Sequence, residues 1–104
     1  MPTIAMVRKA PPDEYVFETL MPDLIGHDRS PSAFILYLKL WHATGGPDRR
    51  PVALSLSTLA AETGLSKSSV QSAVRHLERR GLVAIGRASA TAIPAYAVVA
   101  PWRR

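Results

Sequence analysis

No cysteine occurs among the 104 residues. That absence excludes a disulfide framework, a thiolate metal site and a cysteine nucleophile, and it fits a reducing cytoplasm. Histidine is scarce: His27, His42 and His76 stand far apart and form no H-x-x-x-H pair, so no metal site is expected. The amino-terminal stretch lacks a basic start followed by a long apolar run, so no secretory leader is expected. The longest apolar stretch, residues 34–41, is interrupted by Lys39 and is far too short to cross a bilayer. There is no glycine-rich phosphate loop, no nucleophile elbow and no acid pair at working spacing, so neither an enzyme nor a bound cofactor is expected.

Carboxylates are also few, 8 against 13 lysines and arginines, which leaves a net charge of +5 and a pI near 10.2. Many soluble proteins are basic, so the distribution matters more than the total. Residues 1–28 carry Arg8 and Lys9 against Asp13, Glu14, Glu18, Asp23 and Asp28, a net of −3. The remaining residues carry the other bases against only Asp48, Glu62 and Glu78, a net of +8. A basic segment of that kind favours an anionic partner.

What is present is concentrated in residues 57–82, which read as two helices joined by about three residues. Ser57 is expected to cap the first helix, with Leu59, Ala60 and Thr63 on one face. Gly64 stands where the chain must leave the helix at positive φ. Ser66 is expected to cap the second helix. Val70, Ala73, Val74 and Leu77 form its inward stripe, and Gly81 is expected to cap its end, with the hydrophobic Leu82 after it. The outward face carries Lys67, Ser68, Gln71, Ser72 and Arg75, with Arg79 one turn on and no carboxylate among them. Glutamine and arginine present the forked donors and acceptors that match base edges, and lysine and arginine meet phosphates. A purely structural face would more often mix in glutamate as i,i+4 partners.

The pattern Ala60-x-x-x-Gly64-Leu65-Ser66, then Val70-x-x-x-Val74-x-x-Leu77-x-x-x-Gly81-Leu82, resembles the helix-turn-helix of winged-helix DNA-binding domains. The resemblance covers about residues 31–100 and is nearest to domains of bacterial and phage regulators and of plasmid replication initiators. It implies a mainly α fold with a small β-sheet (α+β): a three-helix core, a β-hairpin wing and an N-terminal arm. The divisions expected are an arm and lead-in over residues 1–29, the winged helix-turn-helix over 30–100 and a tail over 101–104.

The remaining segments fit that frame. Residues 1–12 read as an arm, extended over 3–7, either disordered or packing Ile4, Met6 and Val7 on a partner subunit. In the lead-in, Tyr15-x-Phe17 reads as extended, and Pro22 starts a short helical turn that Gly26 ends. Its job is either to cover the core or to build a dimer interface, and its acids are scattered. Residues 30–42 read as a helix capped by Ser30, with Pro31 at its first position, apolar nearly all round and ended by Gly45-Gly46-Pro47. Arg49 and Arg50 either reach a phosphate or sit in a solvated loop. Val52, Leu54 and Leu56 alternate as a short strand. Residues 83–86 and 96–99 read as the wing strands, with Pro94 at the start or edge of the second. Arg87 is the one charge near the wing. Trp102 either covers the core or meets a partner, and Arg103 and Arg104 read as a frayed tail.

The function expected is sequence-specific binding of double-stranded DNA by a dimeric transcriptional regulator in the cytoplasm, with residues 66–80 in the major groove. Lys67, Ser68, Gln71, Ser72 and Arg75 would face bases and nearby phosphates, Ser69 and Arg79 would hold the backbone, and Arg87 would add a wing contact. Two other readings stay open: the DNA-binding part of a plasmid or phage replication system, and a winged-helix protein-interaction module that does not bind DNA. No membrane partner is expected, and the sequence specifies no small-molecule effector.

Overall fold

The computed structural model describes residues 10–103. The arm over residues 3–7, with Ile4, Met6 and Val7, and the terminal Arg104 lie outside the described residues.

The molecule is built around helix α1, Pro31–Thr44, which buries Ala33, Phe34, Leu36, Tyr37, Leu40 and Trp41. Helix α2, Leu56–Thr63, and helix α3, Lys67–Arg79, pack on it. Three short antiparallel strands complete the fold: β1 Val52–Ala53, β2 Val83–Gly86 and β3 Ala95–Val98, in the order β1-β3-β2. Val83 pairs with Val98 and Ile85 with Tyr96, while Val52 pairs with Tyr96 from the other edge. Tyr37 ties α1 to the sheet end by donating to the Val99 carbonyl at 2.9 Å. The expected three-helix core and hairpin wing are therefore present, and the fold is an α+β winged helix-turn-helix.

The lead-in differs from the expected extended piece and short turn. Residues 14–27 are helical throughout, widened into π-helical segments at Val16–Leu20 and Pro22–His27. Val16, Leu20 and Leu24 recur every fourth residue and are all buried against the core. That spacing outweighs the three-residue aromatic alternation at Tyr15-x-Phe17. Proline inside a helix lacks a donor and crowds the preceding turn, and the wide turns carry the chain past Pro22. In them the Met21 amide bonds back to Val16 O and the Asp28 amide to Asp23 O, one residue further than in an α-helix. Gly26 does not end the segment. The left-handed residue that turns the chain into α1 is Arg29, at φ 55°, and the Ser30 amide reaches back to Leu24 O at 2.8 Å. The lead-in thus covers the second apolar face of α1 within the same chain.

Several boundaries also move. Ser55, not Ser57, caps α2: its hydroxyl oxygen accepts from the Thr58 amide at 3.0 Å. The alternation of Val52, Leu54 and Leu56 imitates a longer strand, but only Val52 and Ala53 pair with β3, and Leu56 already begins the helix. Ser30 occupies the N-cap of α1 without a side-chain capping bond, and α1 runs on to Thr44. Arg80, not Gly81, is the C-cap residue of α3. Gly81 follows at φ 70°, its amide bonding Glu78 O and the Leu82 amide bonding Leu77 O, the paired bonds of a Schellman turn.

The described part of the tail, through Arg103, is held rather than frayed. Trp102 stacks on Tyr15 with ring centroids 4.4 Å apart and donates from Nε1 to Asp13 at 2.8 Å. Arg103 grips both Asp13 oxygens, at 2.6 and 2.9 Å, and lies over the Trp41 ring. The Arg103 bond, opposed by partial burial and helped by Trp102, holds the Asp13 carboxyl below its usual range.

Candidate nucleic-acid interface

The turn between α2 and α3 is fixed by local chemistry. Gly64 takes φ 81°, a left-handed conformation that costs an L side chain energy, and its amide closes on Ala60 O at 2.9 Å. The Thr63 hydroxyl donates to Leu59 O and accepts from the Leu65 amide, so the turn leaves few orphan groups. Ser66 caps α3 by accepting from the Ser69 amide at 3.1 Å. The apolar residues then recur at helical spacing: Val70, Ala73 and Leu77 are buried and Val74 half-buried.

That registration puts Lys67, Ser68, Gln71, Ser72, Arg75 and Arg79 on the exposed side of α3. Lys67 and Arg75 make no ion pair among the described residues. Ser69 is half-buried, and its hydroxyl accepts from Ser66 within the cap. Arg79 sits at the far end and lies 3.3 Å from the His76 Nδ1.

The predicted residues divide between two concave surfaces on either side of α3. Gln71 and Arg75 join Arg87, Tyr96, Ile85 and Glu78 in a cleft of about 600 Å³ between α3 and the wing. Arg87 does not reach toward the wing tip. Its guanidinium donates back to Ala92 O at 3.1 Å and braces the wing loop at its base. On the other side, Ser68, Ser69 and Ser72 line a shallower recess with Arg29, Ser30 and Ser32 from the start of α1. Arg29 is absent from the local pattern that defined the recognition face. It lies well upstream in sequence, and the signal that marks it is the recess.

The acids described above as scattered converge in three dimensions. Asp23 and Asp28 meet the carboxyl-terminal end of α3: His76 Nε2 lies 2.7 Å from Asp28, and Arg80 pairs with Asp28 and, at 2.5 Å, with Asp23. His27 adds a 2.9 Å bond to Asp28 from solvent. Asp23, His27 and Asp28 place ligand atoms within 4.8 Å of one another. The Arg80 guanidinium already supplies the positive charge in their midst, so the group reads as an ion-pair clamp joining the lead-in to α3. The hydrogen bond from His27, reinforced against burial by His76 and Arg80, holds the Asp28 carboxyl at about 2.

A carboxyl whose folded value lies below its unfolded value of about 3.9 contributes stability above that pH and loses it as pH falls toward the folded value. Thermal midpoints of the wild type and Asp28→Asn are therefore expected to differ at pH 6 and to converge between about pH 4 and pH 2. A gap that persists unchanged to pH 2 would remove Asp28 from the clamp. The His27 value is raised, chiefly by its bond to Asp28, so its contribution runs the other way: it is present at low pH and fades as pH rises through the raised folded value.

Three helices, a glycine turn that sets α3 on the surface and a two-stranded wing define the winged helix-turn-helix class, in which α3 is the second helix of the helix-turn-helix pair. Residues 30–83 match the family described as "Helix-turn-helix domain", and the chain belongs to that family. The match runs from the N-cap of α1 to the first residue of β2, so it contains the whole of α3. Family membership points to DNA binding, and such domains are typically non-enzymatic. No curated protein and no solved structure matches the chain. No helix among the described residues is long and apolar enough to cross a membrane.

Proposed function

We propose that the protein binds double-stranded DNA with sequence specificity and acts as a dimeric transcriptional regulator, with α3 in the major groove. The observation that carries this reading is the exposed face of α3: Lys67, Ser68, Gln71, Ser72 and Arg75, two cations and three polar side chains without a carboxylate among them. Gln71 and Arg75 are the base readers. Lys67, Ser68 and Ser72 meet bases or nearby phosphates, Ser69 and Arg79 hold the backbone, and Arg87 stiffens the wing that lies against it.

Support for a dimer is apolar surface. The second face of α1 is met by the lead-in, but Phe17, Ile25 and Ile35 each stay about two-fifths exposed, surface that a second subunit would cover. A two-fold dimer would set its recognition helices about one helical turn of DNA apart.

A second reading, a protein-interaction module, draws on the wing. Residues 87–94 contain one charge, and Arg87 is committed to Ala92 O. Fluorescence anisotropy on random-sequence duplex DNA across a salt series separates the two readings. The expected result is binding whose log K falls linearly with log salt, by about 0.9 for each phosphate contacted. No binding at low salt by folded protein would favour the interaction module.

A further inference from the structure

We propose that Arg29 is a DNA-backbone contact, taking a phosphodiester oxygen beside the recognition helix. This assignment rests on the DNA-binding reading above and extends the interface beyond the matched helix-turn-helix to the end of the lead-in.

Three observations carry it. Arg29 lines the recess it shares with Ser68, Ser69 and Ser72, so its side chain borders the first turns of α3. The remaining lining is Ser30, Pro31, Ser32 and Ala73, with no carboxylate to compete for a guanidinium. The neighbouring acid is occupied elsewhere: Asp28, with a side chain only 8% exposed, is bonded to His76 and Arg80 at the opposite end of α3. Arg29 itself is exposed and makes no ion pair or hydrogen bond among the described residues.

The contrast with the other arginines of the lead-in and tail contacts sharpens the assignment. Arg80 is spent on the two carboxylates of Asp23 and Asp28 and Arg103 on that of Asp13, so neither is open to a phosphate. Arg29 keeps all five donors among the described residues, and a planar guanidinium matches the paired oxygens of a phosphodiester. Hydroxyls of Ser68 and Ser72, which are short and exposed, let a backbone strand approach the recess closely. A phosphate there would lie on the flank of α3 opposite the wing cleft, so Arg29 and the wing would bracket the helix in its groove.

The test uses Arg29→Asn, since asparagine tolerates the left-handed φ of 55° and removes the charge. Affinity for random and selected duplexes is measured across a salt series, beside the wild type and Arg75→Ala. The expected result is a weakening of about eightfold at 0.1 M salt, equal on every sequence, with the salt slope reduced by about 1 and the thermal midpoint unchanged. Arg29→Lys should restore the slope. If Arg29→Asn lowers the midpoint, Arg29→Gly, which adopts that φ freely, carries the same comparison. Unchanged affinity and slope in Arg29→Asn, with Arg75→Ala weakened, overturn the assignment and leave the DNA-binding reading standing. A loss confined to one sequence also overturns it, because a phosphate contact carries no base preference. Absence of binding by the wild type removes the DNA-binding reading, and Arg29's role with it.

Discussion

Trp41→Ala is expected to lower the unfolding free energy by about 3–5 kcal/mol, enough to remove much of the stability of a domain this small. Trp41 is 1% exposed in the last turn of α1. It meets Tyr37 edge-on with centroids 5.9 Å apart, carries Arg103 over its ring and donates from Nε1 to Ala10 O at 2.9 Å. Gly46 packs so close to the ring that an added Cβ would lie 3.2 Å from Nε1. One residue thus joins the core helix to the chain on both its amino-terminal and carboxyl-terminal sides. Deleting it leaves a cavity that the surrounding helices fill only in part, and it releases the cation and the backbone carbonyl that rest on it. Urea unfolding followed by circular dichroism reads the effect. Trp41→Phe keeps most of the volume and loses the hydrogen bond, so it should cost about 1 kcal/mol from that bond plus a smaller packing term. A loss under about 1 kcal/mol in the alanine variant would show that the tail and lead-in do not depend on Trp41.

The second large effect concerns DNA. Arg75→Ala and Gln71→Ala are each expected to weaken binding to a selected site by about 1–3 kcal/mol, or roughly 5- to 150-fold, and to relax preference at one base position each. Lys67→Ala should instead weaken binding about equally on all sequences and flatten the salt dependence. Folding should be unaffected in all three variants, because these side chains are exposed and Lys67 and Arg75 have no ion-pair partner among the described residues. Site selection with wild type and variants makes the comparison. If Arg75→Ala keeps both affinity and preference, the base-reading face lies elsewhere on α3.

How much of this was legible in the sequence follows from the range of each interaction. The helix-turn-helix is built from near neighbours: Gly64 and Thr63 set the turn, Ser66 caps, and Val70, Ala73 and Leu77 face inward at helical spacing. Each signal lies within a turn or two of what it controls. The alternation of Val52, Leu54 and Leu56 extends past the true helix start, which is why the sequence points to Ser57 as the cap of α2 whereas Ser55 caps it. In the lead-in, Pro22 and the Tyr15-x-Phe17 alternation argue locally against a helix, whereas burial of Val16, Leu20 and Leu24 in the core decides for one. Burial against a distant element leaves little trace in a short window.

The ionic contacts were out of reach for a similar reason. Asp13 meets Trp102 and Arg103 across 89 and 90 residues, and Asp28 meets His76 and Arg80 across 48 and 52. A count of charges shows an acidic lead-in and a basic remainder, but not which acid meets which base. A reading of α3 alone carries neither the Arg87 bond to Ala92 O nor the recess that Arg29 shares with Ser68, Ser69 and Ser72.

The clamp of Asp23 and Asp28 on Arg80, with that of Asp13 on Arg103, has an effect on how the molecule meets a polyanion. These pairs cancel positive charge where the lead-in touches the end of α3 and the tail, while Lys67, Arg75 and Arg29 keep theirs. The surviving charge is therefore lopsided, and a lopsided charge in the field of DNA experiences a torque as well as an attraction. On the proposed DNA-binding reading, a molecule arriving in any orientation would be turned until α3 leads, and the internal ion pairs remote from that face would shorten the rotational search before docking.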